Sequence, residues 1–116
     1  MLRIQEIEII TMKKRHFTVH LKCCESENPV NYVCKLVATN IDPPTDVIDG
    51  PSPNSVSAED AYLSFLSRFR SALEKLDSSD AIAEVDNPCN TELISPDDQR
   101  RILGKGVVVL VNGNID

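Results

Sequence analysis

Apolar residues recur every three or four positions between residues 57 and 76, which is the spacing of one face of an α-helix. Ser57 is a good N-cap for this helix, because a serine side chain accepts a hydrogen bond from a backbone N–H of the first turn. Three of the five aromatic residues of the chain lie on the apolar face, so this helix brings much of the bulk of the core. The predicted core face consists of Ala58, Ala61, Tyr62, Phe65, Leu66, Phe69, Ala72, Leu73 and Leu76.

The first forty residues show a different pattern, the alternation of apolar and polar side chains that is typical of β-strands. It is clearest around Phe17, Val19 and Leu21, which alternate with polar residues. Turn-forming residues separate three such stretches, so the sequence predicts an antiparallel meander. Its strands are expected over residues 2–10, 16–24 and 31–39.

The first of these strands departs from strict alternation. Its apolar residues are Leu2 and Ile4, at even positions, and then Ile7 and Ile9, at odd positions. A β-bulge inserts one extra residue into a strand and shifts the alternation by one position. We therefore predict a bulge near Gln5.

The C-terminal part of the chain predicts a short helix followed by a buried strand. Ser95 can cap a helix that begins at Pro96, and Gly104 can end it. The run 107–111 contains four valines and one leucine, as expected of a buried strand. The predicted fold class is α+β, in which an antiparallel sheet of about four strands packs on one long amphipathic helix. The sheet combines the N-terminal three-stranded meander with the C-terminal strand, and the short helix is the second helix.

Two long acidic loops are expected within a single domain of residues 1–116. The first spans 41–54, where four prolines exclude a helix or a central strand. The second spans 77–94 and is also rich in carboxylates. The candidate contact residues of these loops are Asp42, Asp46, Asp49, Asp77, Asp80, Glu84 and Asp86.

The net charge of −6 is unevenly distributed along the chain. Residues 1–40 carry six Lys/Arg and four Asp/Glu, whereas residues 41–116 carry six Lys/Arg and fourteen Asp/Glu. Such an acidic surface repels nucleic acid and anionic membranes and attracts a basic partner. We expect a protein partner, no membrane and no direct binding of nucleic acid. The alternative is that the net negative charge only keeps the protein soluble.

A basic run at the predicted tip of the first hairpin is the second candidate contact. It consists of Lys13, Lys14 and Arg15. Basic residues at a hairpin tip can bind phosphate groups. Alternatively, lysines at turns prevent sheet edges from aggregating. We include these residues among the candidate partner contacts.

The sequence contains no pattern that indicates catalysis or a cofactor. There is no Gly-x-Ser-x-Gly elbow and no glycine-rich phosphate loop. A metal site from His20, Cys24 and Cys34 would need two adjacent strands, and the Cys-x2-4-Cys spacing of zinc sites is missing. We predict no enzymatic activity, no cofactor and no metal, with reduced thiols in a cytoplasmic protein.

These observations favour a small acidic protein-binding module that regulates or inhibits a partner protein. One alternative is a protein that binds a nucleotide or metabolite at a sheet, loop or subunit interface. Another is an inhibitor of the phage anti-defence type, which occupies a basic nucleic-acid channel of its target.

One long helix cannot cover both faces of the predicted sheet. Apolar residues remain for the second face, namely Leu2, Ile4, Val33 and Val37. Because exposed apolar patches usually mark contact sites, we expect a homo-oligomer, most simply a homodimer.

Overall fold

A computed structural model describes residues 2–26, 28–40, 54–88 and 91–115 of the chain. These residues form two helices and six strands that belong to one sheet. In chain order the elements are β1 (Leu2–Thr11), β2 (His16–Cys24), β3 (Asn31–Thr39), α1 (Ala58–Leu76), β4 (Ile82–Asn87), α2 (Pro96–Leu103), β5 (Val108–Val111) and β6 (Asn114–Ile115).

The strand order of the sheet is β3-β2-β1-β4-β5-β6. The predicted N-terminal meander is confirmed, since β1 pairs antiparallel with β2 and β2 with β3. The prediction of a purely antiparallel sheet of about four strands is wrong. Strands β4 and β5 are parallel, because α2 carries the chain back across the sheet between them.

Two strands are missing from the prediction. One is the two-residue β6, and the other is β4, which lies within the segment 77–94 that we expected to be a loop. Its inward-facing residues include Ile82 and Val85, but the polar Asn87 is also buried. The carboxylates Glu84 and Asp86 occupy the outward-facing positions of β4, so its amino-acid composition resembles that of a loop. The sequence therefore lacks the clean alternation that reveals β1 and β2.

Helix α1 follows the prediction except at its last residue, because Leu76, which we expected in the core, is exposed. The Ser57 side chain accepts a hydrogen bond of 3.1 Å from the backbone N–H of Asp60. Phe65 and Phe69 are fully buried, and the rings of Phe69 and of Phe17 on β2 form a T-shaped pair with a centroid distance of 4.8 Å. The helix thus supplies the aromatic centre of the core.

Helix α2 also begins and ends where its caps predict. The Ser95 side chain accepts a hydrogen bond from the backbone N–H of Asp98 at 3.1 Å. Gly104 follows the last turn with a φ of 87°, a backbone conformation that glycine adopts without strain. Leu103 and Ile94 anchor this part of the chain to the same apolar cluster that α1 covers.

Strand β1 has no bulge near Gln5, so that prediction is wrong. Its register with β2 is continuous from Leu2 to Ile10, and the irregularity lies between Ile10 and Thr11, where β1 pairs with β4. Gln5 points into the core and is only 2% exposed. A buried polar residue therefore replaces the apolar one that strict alternation requires.

Three amide side chains form a buried network around Gln5. Gln5 Nε2 donates to Asn87 Oδ1 at 3.1 Å, and Gln99 Nε2 donates to the same oxygen at 2.8 Å. Gln5 Oε1 accepts from the backbone N–H groups of Leu93 and Ile94 at 2.7 and 3.0 Å. No buried side-chain polar atom in the described residues lacks a partner, so the amides tie the chain before α2 to the sheet without an unsatisfied group.

Candidate interaction surface

The tip of the β1–β2 hairpin is a compact turn. The backbone N–H of Lys14 donates to the Thr11 carbonyl at 2.9 Å, and Thr11 Oγ1 accepts from the N–H of Arg15 at 3.1 Å. Lys14 itself adopts a φ of 65° and points its side chain into solvent. The turn places Lys13 and Arg15 beside the segment that follows α1.

There the basic tip meets two of the predicted acidic residues. Lys13 Nζ lies 2.6 Å from an Asp77 oxygen, and Arg15 Nη1 lies 3.0 Å from Asp77 and 2.8 Å from Asp80. The backbone N–H of Lys13 also donates to Asp80 Oδ1 at 3.0 Å. We call Lys13, Arg15, Asp77 and Asp80 the ion cluster. Its two positive and two negative charges balance within the molecule.

Hydrogen bonding in the ion cluster favours the charged form of each carboxylate. Donation from Lys13, Ser79 and Arg15 holds the pKa of Asp77 well below its usual range. Burial would raise the pKa of Asp80, but hydrogen bonds from Thr11, Arg15 and two backbone N–H groups outweigh it and lower that pKa. These contacts also raise the pKa of Arg15. The Asp77 and Asp80 carboxylates and the Arg15 guanidinium are therefore ionised at neutral pH.

The two remaining predicted acids of the second loop lie in β4 instead. Asp86 is in register with Glu8, and Glu84 with Ile10, on the side of the sheet opposite the helices. Asp86 Oδ1 accepts from the backbone N–H of Gly113 at 2.9 Å. The other three predicted acids, Asp42, Asp46 and Asp49, lie outside the described residues.

The side of the sheet away from the helices is the largest surface that the described strands share. We call it the open face. Its alternating positions are partly or fully exposed, whereas those of the other side are mostly buried. The open face consists of Leu2, Ile4, Glu6, Glu8, Ile10, His16, Thr18, His20, Lys22, Cys24, Val33, Lys35, Ala38, Glu84, Asp86, Val108 and Leu110.

Charges on the open face are separated by sign. Four carboxylates lie on β1 and β4, namely Glu6, Glu8, Glu84 and Asp86. Lys22 and Lys35 lie on β2 and β3, where the proximity of Lys35 is the main cause that lowers the pKa of Lys22. His20 on β2 lies 3.5 Å from Glu6 at the boundary between the two groups. The sequence analysis missed this division because it depends on the register between strands.

The open face also exposes apolar side chains. Leu2 and Val108 are 53% and 44% exposed, and Ile4 and Val33 are partly exposed. Val37 is exposed as well, but it lies at a register shift between β2 and β3 and interrupts the alternation of β3. Apolar and charged side chains are thus interspersed on the open face.

The histidine and cysteines of the weighed metal site do not converge. Cys34 is buried on the side of the sheet covered by α1, whereas His20 and Cys24 lie on the open face. No group of three or more His, Cys, Asp or Glu side chains in the described part of the chain is arranged to hold a metal ion. Neither of the two helices in those residues is long and apolar enough to cross a membrane.

Two cavities lie at opposite ends of the β4–β5 pair. The larger, of about 460 Å³, has an apolar floor that includes Leu73, Ile82 and Val107, and Arg70 and Lys105 lie at its rim. The smaller, of about 140 Å³, adjoins Gln5 and the carboxyl ends of β4 and β5. Of these two cavities, the larger has the volume of a typical small-molecule site.

No protein-family model, no curated protein and no solved structure matches this chain. Inference about its function therefore starts from the geometry and chemistry of its surfaces.

Proposed function

We propose that this chain is a protein-binding module and that the open face is its contact surface. The observation that carries this proposal is the composition of that face. It combines exposed apolar side chains with carboxylates on β1 and β4 and lysines on β2 and β3. Apolar patches with a polar surround are typical of protein interaction sites.

The charge pattern specifies the chemistry of the partner. A complementary surface places basic groups over Glu8, Glu84 and Asp86 and acidic groups over Lys22 and Lys35. The ion cluster contributes little to this recognition, because its charges already neutralise one another. We therefore move the proposed contact from the hairpin tip and the segment after α1 to the open face.

The fully buried Cys34 also favours a binding function over a catalytic one. Burial raises the pKa of the Cys34 thiol, so the nucleophilic thiolate is disfavoured. Tyr62 is buried beside it, and burial raises the pKa of its hydroxyl as well. Both groups serve the core as neutral side chains.

Site-specific photo-crosslinking tests the proposed surface. A benzophenone amino acid replaces Val108 on the open face or, as the control, Leu63 on α1; these side chains are 44% and 50% exposed. In cells that make the chain naturally, we expect adducts from position 108 and none from position 63. The captured protein should then bind the purified chain, and Glu8→Lys with Glu84→Lys should weaken that binding at least about tenfold. Equal capture at both positions contradicts the proposal. So does a captured protein that binds the double variant as tightly as it binds the wild type.

The larger cavity favours a second candidate function, the binding of a small molecule. Its volume of about 460 Å³ is that of a small-ligand site, and its lining combines apolar residues such as Leu73 and Ile82 with the charged Arg70 and Lys105. Native mass spectrometry of the purified chain should then reveal a bound small molecule. Ala81→Phe fills the cavity from its lining and should abolish that binding, whereas Ala38→Phe on the open face should leave it unchanged. Retention of the ligand by Ala81→Phe contradicts this candidate.

A further inference from the structure

We propose that the open face binds a second copy of this chain, so that the protein forms a two-fold symmetric dimer. This inference rests on the proposed function, because it names the partner of the same surface. It is carried by the self-complementary distribution of charge on that face.

Each half of the open face brings like charges together. Glu8 and Asp86 are directly opposite each other on β1 and β4, and like charges in that position destabilise a sheet. On the other half, Lys22 is in register with Val33 and His20 with Lys35, so the two lysines are diagonal neighbours. A partner that supplies the opposite charge to each half relieves both repulsions.

A second copy supplies both charges at once. When two sheets pack face to face with two-fold symmetry, the axis lies in the plane between them. An axis that runs between the acidic and basic halves sets the carboxylates of one copy over the lysines of the other, and the same contact occurs twice. The isologous arrangement therefore doubles each favourable interaction.

The open face is also large enough for a specific contact. At about 3.3 Å per residue and 4.8 Å between strands, β1 to β4 present roughly 540 Å² per copy. The total of about 1,100 Å² for two copies reaches the approximately 1,000 Å² expected of a biological interface. The apolar side chains Ile4 and Val33 contribute buried area between the charged groups.

Charge reversal followed by mixing tests this dimer. Sedimentation equilibrium of the purified wild-type chain should show a dimer at about 0.1 mM, a concentration that detects micromolar association. Lys22→Glu with Lys35→Glu makes the whole face acidic, and Glu8→Lys with Glu84→Lys makes it predominantly basic. Each double variant alone should dissociate at least about tenfold more readily than the wild type, because like charges then face each other. An equimolar mixture of the two variants should associate again.

A matched control changes the same number of charges elsewhere. Lys75→Glu with Lys105→Glu alters two exposed lysines away from the open face and should leave the wild-type dimer intact. Thermal unfolding of each variant establishes that it is folded. For the wild type itself, raising the salt concentration should weaken association as the charges are screened.

Three results overturn the dimer: a wild-type monomer at about 0.1 mM, variants that each dimerise like the wild type, or a mixture that stays monomeric. A monomer that still crosslinks to another protein through position 108 overturns this inference alone. A monomer without any open-face adduct overturns the proposed function as well.

Discussion

The two ends of the β1–β4 strand pair are held by different chemistry. At one end, Asp80 binds the backbone N–H of Lys13 and the Arg15 guanidinium. At the other end, Gln5 binds the backbone N–H groups of Leu93 and Ile94. In both places one polar side chain fastens a connecting segment to the sheet, but one cluster is ionic and the other is neutral.

The difference shows which kinds of polar group can be fully buried. A neutral amide can be buried at little cost when each of its atoms has a partner, whereas a buried charge needs a counter-charge as well. The amide network is enclosed by α1 and α2 and contains the fully buried Gln99. The ion cluster lies where Lys13 and Arg15 still reach water. Only the ion cluster should therefore respond to pH.

The largest expected effect is that of Gln5→Met, which keeps the size of the side chain and removes its hydrogen bonds. It leaves the buried N–H of Ile94 and the partly buried N–H of Leu93 without their acceptor. At about 1–3 kcal/mol each, we expect a loss of about 2–6 kcal/mol of unfolding free energy. Urea titration measures this loss. Ile4→Met on the open face is the control and should cost under about 1.5 kcal/mol. Equal effects of the two substitutions contradict the structural role of the amide network.

Asp80→Asn should have the next largest effect. Asparagine keeps the shape of the side chain but turns an N–H₂ group toward the Arg15 guanidinium, so two donors face each other. We expect a loss of about 1–3 kcal/mol at pH 7 in the same urea titration. Asp98→Asn removes an exposed ion pair with Arg101 and should change stability much less. A smaller effect at Asp80 than at Asp98 contradicts the assignment of the ion cluster as a structural tie.

The contributions of the ion cluster and of the amide network to stability should differ in their dependence on pH. The pKa values of Asp77 and Asp80 are lowered in the folded chain. Their stabilisation is therefore fully present above the unfolded value of about 3.9 and is lost as the pH falls through the folded values. The difference in stability between the wild type and Asp80→Asn should shrink below about pH 4. The difference between the wild type and Gln5→Met should stay constant as the pH is lowered through the same range, and a parallel decline of both differences contradicts the comparison.

The smallest expected effect is that of Lys14→Gly at the hairpin tip. Lys14 holds a φ of 65°, which costs a residue with a side chain about 1 kcal/mol relative to glycine. Glycine loses more backbone entropy on folding, so we expect a net gain of no more than about 1 kcal/mol. Thermal unfolding measures the change. A large loss of stability shows that the Lys14 side chain takes part in the ion cluster.

Sequence patterns located the elements whose contacts are regular along the chain. Helix α1 was predictable from its apolar spacing and from Ser57, and α2 from Ser95 and Gly104. Sequence patterns did not reveal β4, because its register with β1 shifts after Ile10 and its last residue, Asn87, is polar although it is buried. Nor did they reveal β6, because this strand has only two residues.

The candidate site was only partly predictable for a similar reason. Composition identified Asp77, Asp80 and Lys13 as charged groups of interest, but it could not show that they bind one another. Glu8 and Lys22 were assigned no role, although alternation places both on the polar side of their strands. Their grouping into an acidic and a basic half follows from which strands are neighbours in the sheet.

The sequence by itself determined the helices, their caps and the N-terminal meander, because these depend on residues that are near one another along the chain. The tertiary structure alone decided the parallel β4–β5 pair, the ion cluster, the amide network and the division of charge on the open face. The contacts in the two clusters join residues up to 67 and 89 positions apart. No local pattern encodes such pairs, since they exist only once the sheet has brought the strands into register.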